Sequence, residues 1–157
     1  MIILGIDPGT TTIGYAIISK ESHKLDLLDY GVFSTTPKID LKYKLLEIGN
    51  DINELIKLHN PDLIVIEKLY FTTNVKTAID VAQARGVVVY EAIKHDIETL
   101  EYTPLQVKKA ITGNGAAKKA QLQNAIKMLF GLNSIPKPDD AADAIGLAYM
   151  GALNKRS

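Results

Sequence analysis

Cysteine is absent from the 157 residues. That excludes thiol nucleophiles, thiolate zinc sites and a disulfide framework, and it suits a reducing compartment. No apolar run approaches the roughly 20 residues that cross a bilayer. The first residues pass straight into strand-like sequence with no signal pattern, so a cytoplasmic protein with no membrane partner is expected. Internal repeats, low-complexity tracts and long linkers are also missing. One domain over residues 1–157 is therefore expected, and 46% hydrophobic residues suffice for one core without a structural metal.

Net charge is lacking too, since 18 Lys plus Arg balance 18 Asp plus Glu. Taken alone, that balance argues against a nucleic-acid partner. The distribution argues otherwise. Residues 103–138 carry Lys108, Lys109, Lys118, Lys119, Lys127 and Lys137 and no acid, so this segment is +6 and the remainder −6. Such a separation suits a polyanion whose phosphates must also meet a metal site; a solvated lysine face is the plainer alternative.

Residues 2 to 7, 12 to 19 and 25 to 33 read as strands with short links, an antiparallel meander. Leu41, Leu45, Ile48, Ile52 and Leu55 recur at helical spacing, and Asn60-Pro61 ends that helix. Residues 62 to 67, "DLIVIE", read as a strand covered on both faces. A helix follows from about Asn74 to Lys94, with Val75, Ala78, Ile79 and Ala82 on one side. Then come a strand near Ile97 to Glu101 and a helix opening at Pro104, broken by Gly113 and Gly115. Helices from near Ala117 to Gly131 and from Asp139 to about Leu153 complete the chain. Helical crossovers between later strands imply parallel pairing. The fold class is α/β: a mixed central sheet, meander first and parallel strands second, with helices on both faces.

Four acids fall where acids are costly. Asp7 ends the strand "IILGID", and Glu67 ends "LIVIE" in the same manner. A carboxylate at the carboxyl end of a buried strand needs a partner or a metal, and that edge is where open α/β sheets place their sites. Within "PDDAADAIGLAY", Asp140 and Asp143 lie three apart and share one face at a helix N-terminus. Ordinary capping is the plainer reading there, and Asp139 fits it. Two carboxylates side by side in a poorly solvated spot repel unless a cation intervenes. Oxygen-only ligation points to Mg²⁺, with Mn²⁺ as a substitute. Four carboxylates have the capacity for two cations about 3.5–4 Å apart, the arrangement that serves phosphodiester hydrolysis. The lysines around the glycine break would supply positive charge for phosphate oxygens.

The opening "GIDPGTTTIG" also fits the phosphate loop of an actin-like ATPase, but the chain has no second glycine-threonine loop and is short for two such domains. The segments "GIDPGT", "IVIEKLYFTTN", "AQARG", "VKKAITGNGAAKKAQ" and "DDAADAIGLA" together resemble the RuvC Holliday-junction resolvases, in order and spacing, from Ile2 to about Leu153. The resemblance implies a ribonuclease-H-like fold, a homodimer, and Mg²⁺-dependent paired nicking of four-way junction DNA, with the branch-migration machinery as a further candidate partner. It implies catalytic, metal-holding carboxylates at Asp7, Glu67, Asp140 and Asp143. Lysines working near the phosphates map to Lys108 and Lys119, with Lys109 and Lys118 as neighbouring DNA contacts. Where the family commonly has a phenylalanine near the junction centre, this chain has Tyr70, with Phe71 beside it; either ring suits stacking on an unpaired base. Arg85, in "AQARG", is expected to contact DNA or to form a structural ion pair. Alternatives within the same fold are a less selective branched-DNA nuclease and an RNA-processing nuclease, and a junction binder without activity is a third.

Overall fold

Alternation along the first strand decides the architecture. In β1 (Ile2–Asp7) Leu4 and Ile6 face one way, and Ile3, Gly5 and Asp7 the other. All of its residues from Ile3 to Asp7 are buried, so both faces must be covered. The computed structural model, which describes residues 1–69 and 75–155, shows how this is done. β1 pairs antiparallel with β2 (Thr12–Glu21), which pairs antiparallel with β3 (Lys24–Ser34). After α1 (Leu41–His59), β4 (Leu63–Glu67) pairs parallel with β1 on its other side. Past α2 (Val75–Lys94), β5 (Glu98–Tyr102) pairs parallel with β4. The resulting five-stranded sheet has the order β3-β2-β1-β4-β5, the mixed topology expected.

One face of the sheet meets α1 and α2. Leu4, Ile6, Ile13, Ile17, Ile64 and Ile66 there pack against Ile48, Ile52 and Ile56 of α1 and Ala84, Val88 and Ala92 of α2. The other face meets the C-terminal helices: α3 (Pro104–Thr112), α4 (Lys119–Leu129) and α5 (Asp139–Asn154). α5 lies directly on the sheet and is buried along most of its length, from Ala141 to Ala152. A helix apolar on all sides is a core helix. Two glycines allow its approach. A Cβ at Gly5 would stand 2.2 Å from the Ala144 carbonyl oxygen, and one at Gly14 would stand 2.0 Å from that of Asp140. At the far end of α5, the Lys20 ammonium of β2 donates to the carbonyl oxygens of Ala152 and Lys155, both at 2.7 Å. That satisfies carbonyls a helix terminus leaves unpaired.

α2 carries two apolar stripes. Of the four residues expected on one side of it, Ala78 is buried, and Val75, Ile79 and Ala82 are exposed. Ala84, Val88 and Ala92 form the buried stripe. Val75, Ile79 and Ala82 join Gly86, Tyr90 and Ile93 in a second stripe that faces outward among the described residues. No helix of the described residues is long and apolar enough to cross a membrane.

Candidate active site

Strand alternation and register bring Asp7 and Glu67 together. Both occupy the α5-facing set of positions, at the carboxyl ends of adjacent parallel strands, one step beyond the Ile6–Ile66 pair. Across the other ladder Asp7 stands opposite Gly14. Because Gly14 carries no side chain, the first turn of α5 settles over Asp7 and delivers Asp140 and Asp143, which share a helical face. Asp7, Asp140 and Asp143 each present an oxygen to a common point, and the three oxygens lie within 4.8 Å of one another. The chain thus joins acids far apart in sequence by sheet register and helix docking.

Their electrostatics call for a cation. Asp7 is 8% exposed. Its carboxyl is pushed from an ordinary 3.8 up to about 10, by burial first and by repulsion from Glu67, Asp143 and Asp140 after it. The Asp7 carboxyl shares a hydrogen bond with Glu67. Glu67 is raised as well, chiefly by burial, with the Asp7 hydrogen bond and Lys108 opposing. Burial, then repulsion from Glu67, lifts Asp143 to about 6. Without a cation, these groups keep protons well above the usual carboxylate range. Oxygen donors from three or four convergent carboxylates fit a hard divalent cation. The donor set holds no nitrogen or sulfur.

The lysines enter from the helical hairpin beside the acids. Thr103 caps α3 through a reciprocal pair: its hydroxyl accepts from the Gln106 amide at 3.1 Å, and its amide donates to the Gln106 side chain at 2.8 Å. That fixes the helix carrying Lys108, which is half-buried. Lys108 and Lys119 border a cavity of about 280 Å³ with Glu67 and Asp143, walled by Val107, Leu122 and Leu147. Apolar walls strengthen the field of the half-buried Lys108 there, whereas Lys119 is exposed. Lys109 and Lys118 are exposed and do not border that cavity.

Asp139 has a partner that sequence spacing did not indicate. Its carboxylate accepts from the Lys119 ammonium at 2.8 Å and from the Gln123 side-chain amide at 2.7 Å. These contacts hold the Asp139 carboxyl below its ordinary value and raise the Lys119 ammonium above its own. Lys119 and Gln123 are four apart on α4, so one helical face reaches Asp139 with both. Arg85 sits elsewhere. It forms an ion pair with Glu101 of β5, on the α1–α2 face of the sheet, opposite the acids. Tyr70 and Phe71 lie outside the described residues.

Comparison with known proteins places this arrangement. The family model described as "Crossover junction endodeoxyribonuclease RuvC" matches residues 3–150. A protein of that name from Alkaliphilus metalliredigens is 49% identical over 152 residues, covering 97% of this chain and 93% of the relative. Its namesake from Halothermothrix orenii is 47% identical over 148 residues, covering 94% and 90%. Among solved structures, Thermus thermophilus RuvC in complex with a Holliday junction substrate matches with TM-score 0.90 and 30% identity, covering 97% of this chain and 93% of the other.

Proposed function

The chain belongs to the RuvC family of crossover junction endodeoxyribonucleases, and on that premise we propose that it resolves four-way DNA junctions by paired, symmetric phosphodiester hydrolysis, leaving 5′-phosphate and 3′-hydroxyl ends. The observation that carries this reading is the convergence of Asp7, Asp140 and Asp143 within 4.8 Å, beside Glu67 and two lysines. Asp7, Glu67, Asp140 and Asp143 would hold Mg²⁺, or Mn²⁺ in its place. A divalent cation held there supplies charge neutralisation at the scissile phosphate and activation of the attacking water.

The chain's own residues do the rest. Lys119 and Lys108 present ammonium groups to non-bridging phosphate oxygens, where charge develops in the transition state. Taking up phosphate requires Lys119 to leave or share Asp139. Lys109 and Lys118 flank the Gly113–Gly115 break and extend contact along the backbone. Tyr70 and Phe71 remain proposed contacts at the junction centre, and Arg85 a proposed contact that would exchange Glu101 for phosphate.

Symmetric nicking needs two sites related by a two-fold axis. The outward stripe on α2 supports a homodimer. Val75, Ile79, Ala82, Gly86, Tyr90 and Ile93 share one helical face, and a Cβ at Gly86 would meet nothing within 4 Å. A small residue at the centre of an apolar stripe permits close helix approach.

The test is cleavage of a synthetic four-way junction with Mg²⁺ by wild type and by Asp7→Asn. Wild type should nick opposing strands; the variant should bind the junction and leave it intact. Equal cleavage by both proteins would remove Asp7 from the site. Flap, linear duplex and RNA substrates, run in parallel, separate junction resolution from the less selective alternatives.

A further inference from the structure

Of the lysines in the acid-free segment only Lys119 forms an ion pair among the described residues, and two of the others border grooves outside the acid-lined cavity. Neither Lys127 of α4 nor Lys137, in the loop before α5, has a side-chain hydrogen bond or ion pair among the described residues. Lys137 borders two open grooves. One groove contains Lys119, Pro138, Asp139 and Asp140. The other contains Tyr30, Lys127, Asn133, Ser134 and Ile135. Together they run from the acids, around the start of α5, to Tyr30 on the edge strand β3.

The chemistry of this path is one-sided. Beyond Asp140 its only acid is Asp139, and that carboxylate is already taken by Lys119 and Gln123. What remains is two free ammonium groups with the amide of Asn133 and the hydroxyls of Ser134 and Tyr30. All five border one open groove, and a second groove that shares Lys137 extends to Lys119 and the acids. A DNA backbone is bound by lysines along its length, and Lys119, Lys137 and Lys127 border these successive grooves.

We propose that this groove is a second DNA-backbone site. It holds the phosphates of a junction arm beyond the scissile position, with Lys137 nearer the acids and Lys127 farther out. Asn133, Ser134 and Tyr30 complete the phosphate contacts. The site rests on the junction-cleaving reading above, because its occupant is an arm of that substrate. It positions the arm and takes no part in the chemistry.

The experiment measures binding of a fluorescent four-way junction in EDTA from 50 to 250 mM salt, for wild type and for Lys127→Gln/Lys137→Gln. Each lost phosphate contact lowers the slope of log affinity against log salt by about one. The double variant should therefore lose about two from the slope and bind about 10-fold more weakly near physiological salt, while kcat at saturating junction with Mg²⁺ is unchanged. Shortening the junction arms should erase the difference from wild type. Lys57→Gln on α1 serves as the control and should keep the wild-type slope. An unchanged slope in the double variant, an equal loss in the control, or a fall in kcat with affinity intact would overturn the proposal. Wild-type protein that neither binds nor cuts the junction overturns the junction reading and this site with it. Wild-type cleavage with an unchanged variant slope overturns the second site alone.

Discussion

Gly14 makes the space that the Asp140 main chain occupies: a Cβ on Gly14 would lie 2.0 Å from the Asp140 carbonyl oxygen and 3.0 Å from its Cβ. The contact is to backbone, so nothing flexible can yield. Gly14→Ala should lift the first turn of α5 from the sheet, at a cost of about 1–3 kcal/mol. Cleavage should fall by about 10²-fold, because displacements near 1 Å are enough to spoil catalytic geometry. Ile13→Val, which trims the opposite face of the same strand, is the control. It should cost about 1 kcal/mol and leave cleavage near wild type. Thermal melting and junction cleavage on the two variants check both statements.

Protonated carboxyls make the metal-free protein sensitive to rising pH. Asp7 moves from 3.8 to about 10 and Asp143 from 3.8 to about 6, both upward. The folded state therefore holds more protons than the unfolded chain between those limits, and stability falls as pH rises through them. In EDTA the melting temperature should drop steadily from pH 5 to pH 8. Mg²⁺ should restore it, most strongly at the higher pH, because binding releases the protons. Asp7→Asn removes the most strongly shifted carboxyl and should melt about 5 °C above wild type in EDTA at pH 8. Differential scanning fluorimetry reads all three effects. A wild-type melting temperature that rises with pH in EDTA would refute the account.

Asp139 competes with phosphate for Lys119. Asp139→Asn removes an anion from the DNA-facing side and frees the ammonium that it held at 2.8 Å. Junction binding in EDTA should tighten by about 2–5-fold, the scale of a rim charge, with kcat little changed. Lys119→Ala should do the opposite and lower kcat by about 10²-fold at saturating junction. Anisotropy and single-turnover cleavage separate the two.

The outward stripe of α2 should fail as an interface when charged. Ile79 is 50% exposed, so Ile79→Asp carries little penalty for folding of the protomer. Size-exclusion chromatography with light scattering should show wild type as a dimer and the variant as a monomer. The variant should still nick one strand of a junction, at reduced rate, and lose the coordinated second nick.

Periodicity made the two halves of this fold unequally legible. The α1 spacing placed Ile48 and Ile52 in the core, where both are fully buried. β1 and β4 announced themselves as apolar runs ending in an acid, so Asp7 and Glu67 stood out. α2 did not, because it carries two apolar stripes and periodicity alone cannot say which one meets the sheet. Val75 and Ile79, at its start, belong to the outward stripe, and Ala84, Val88 and Ala92 to the inward one. The bond from Asp139 to Lys119 joins two helices across a loop, and only packing reveals it. Sequence alone does not decide between DNA and an ion pair for Arg85, because its partner Glu101 lies 16 positions on and in a different kind of element.

Lys20 and Gly14 fasten α5 to β2 at its two ends, across more than a hundred residues of chain. During synthesis, Asp7 leaves the ribosome long before Asp140 and Asp143 exist. Contacts of such long sequence separation form late and slowly. A nascent chain therefore carries Asp7, Glu67 and the β2 residues Gly14 and Lys20 well before the helix that they receive. The acids come together only when the C-terminal helix docks, so a copy truncated before Asp140 lacks two of the four carboxylates.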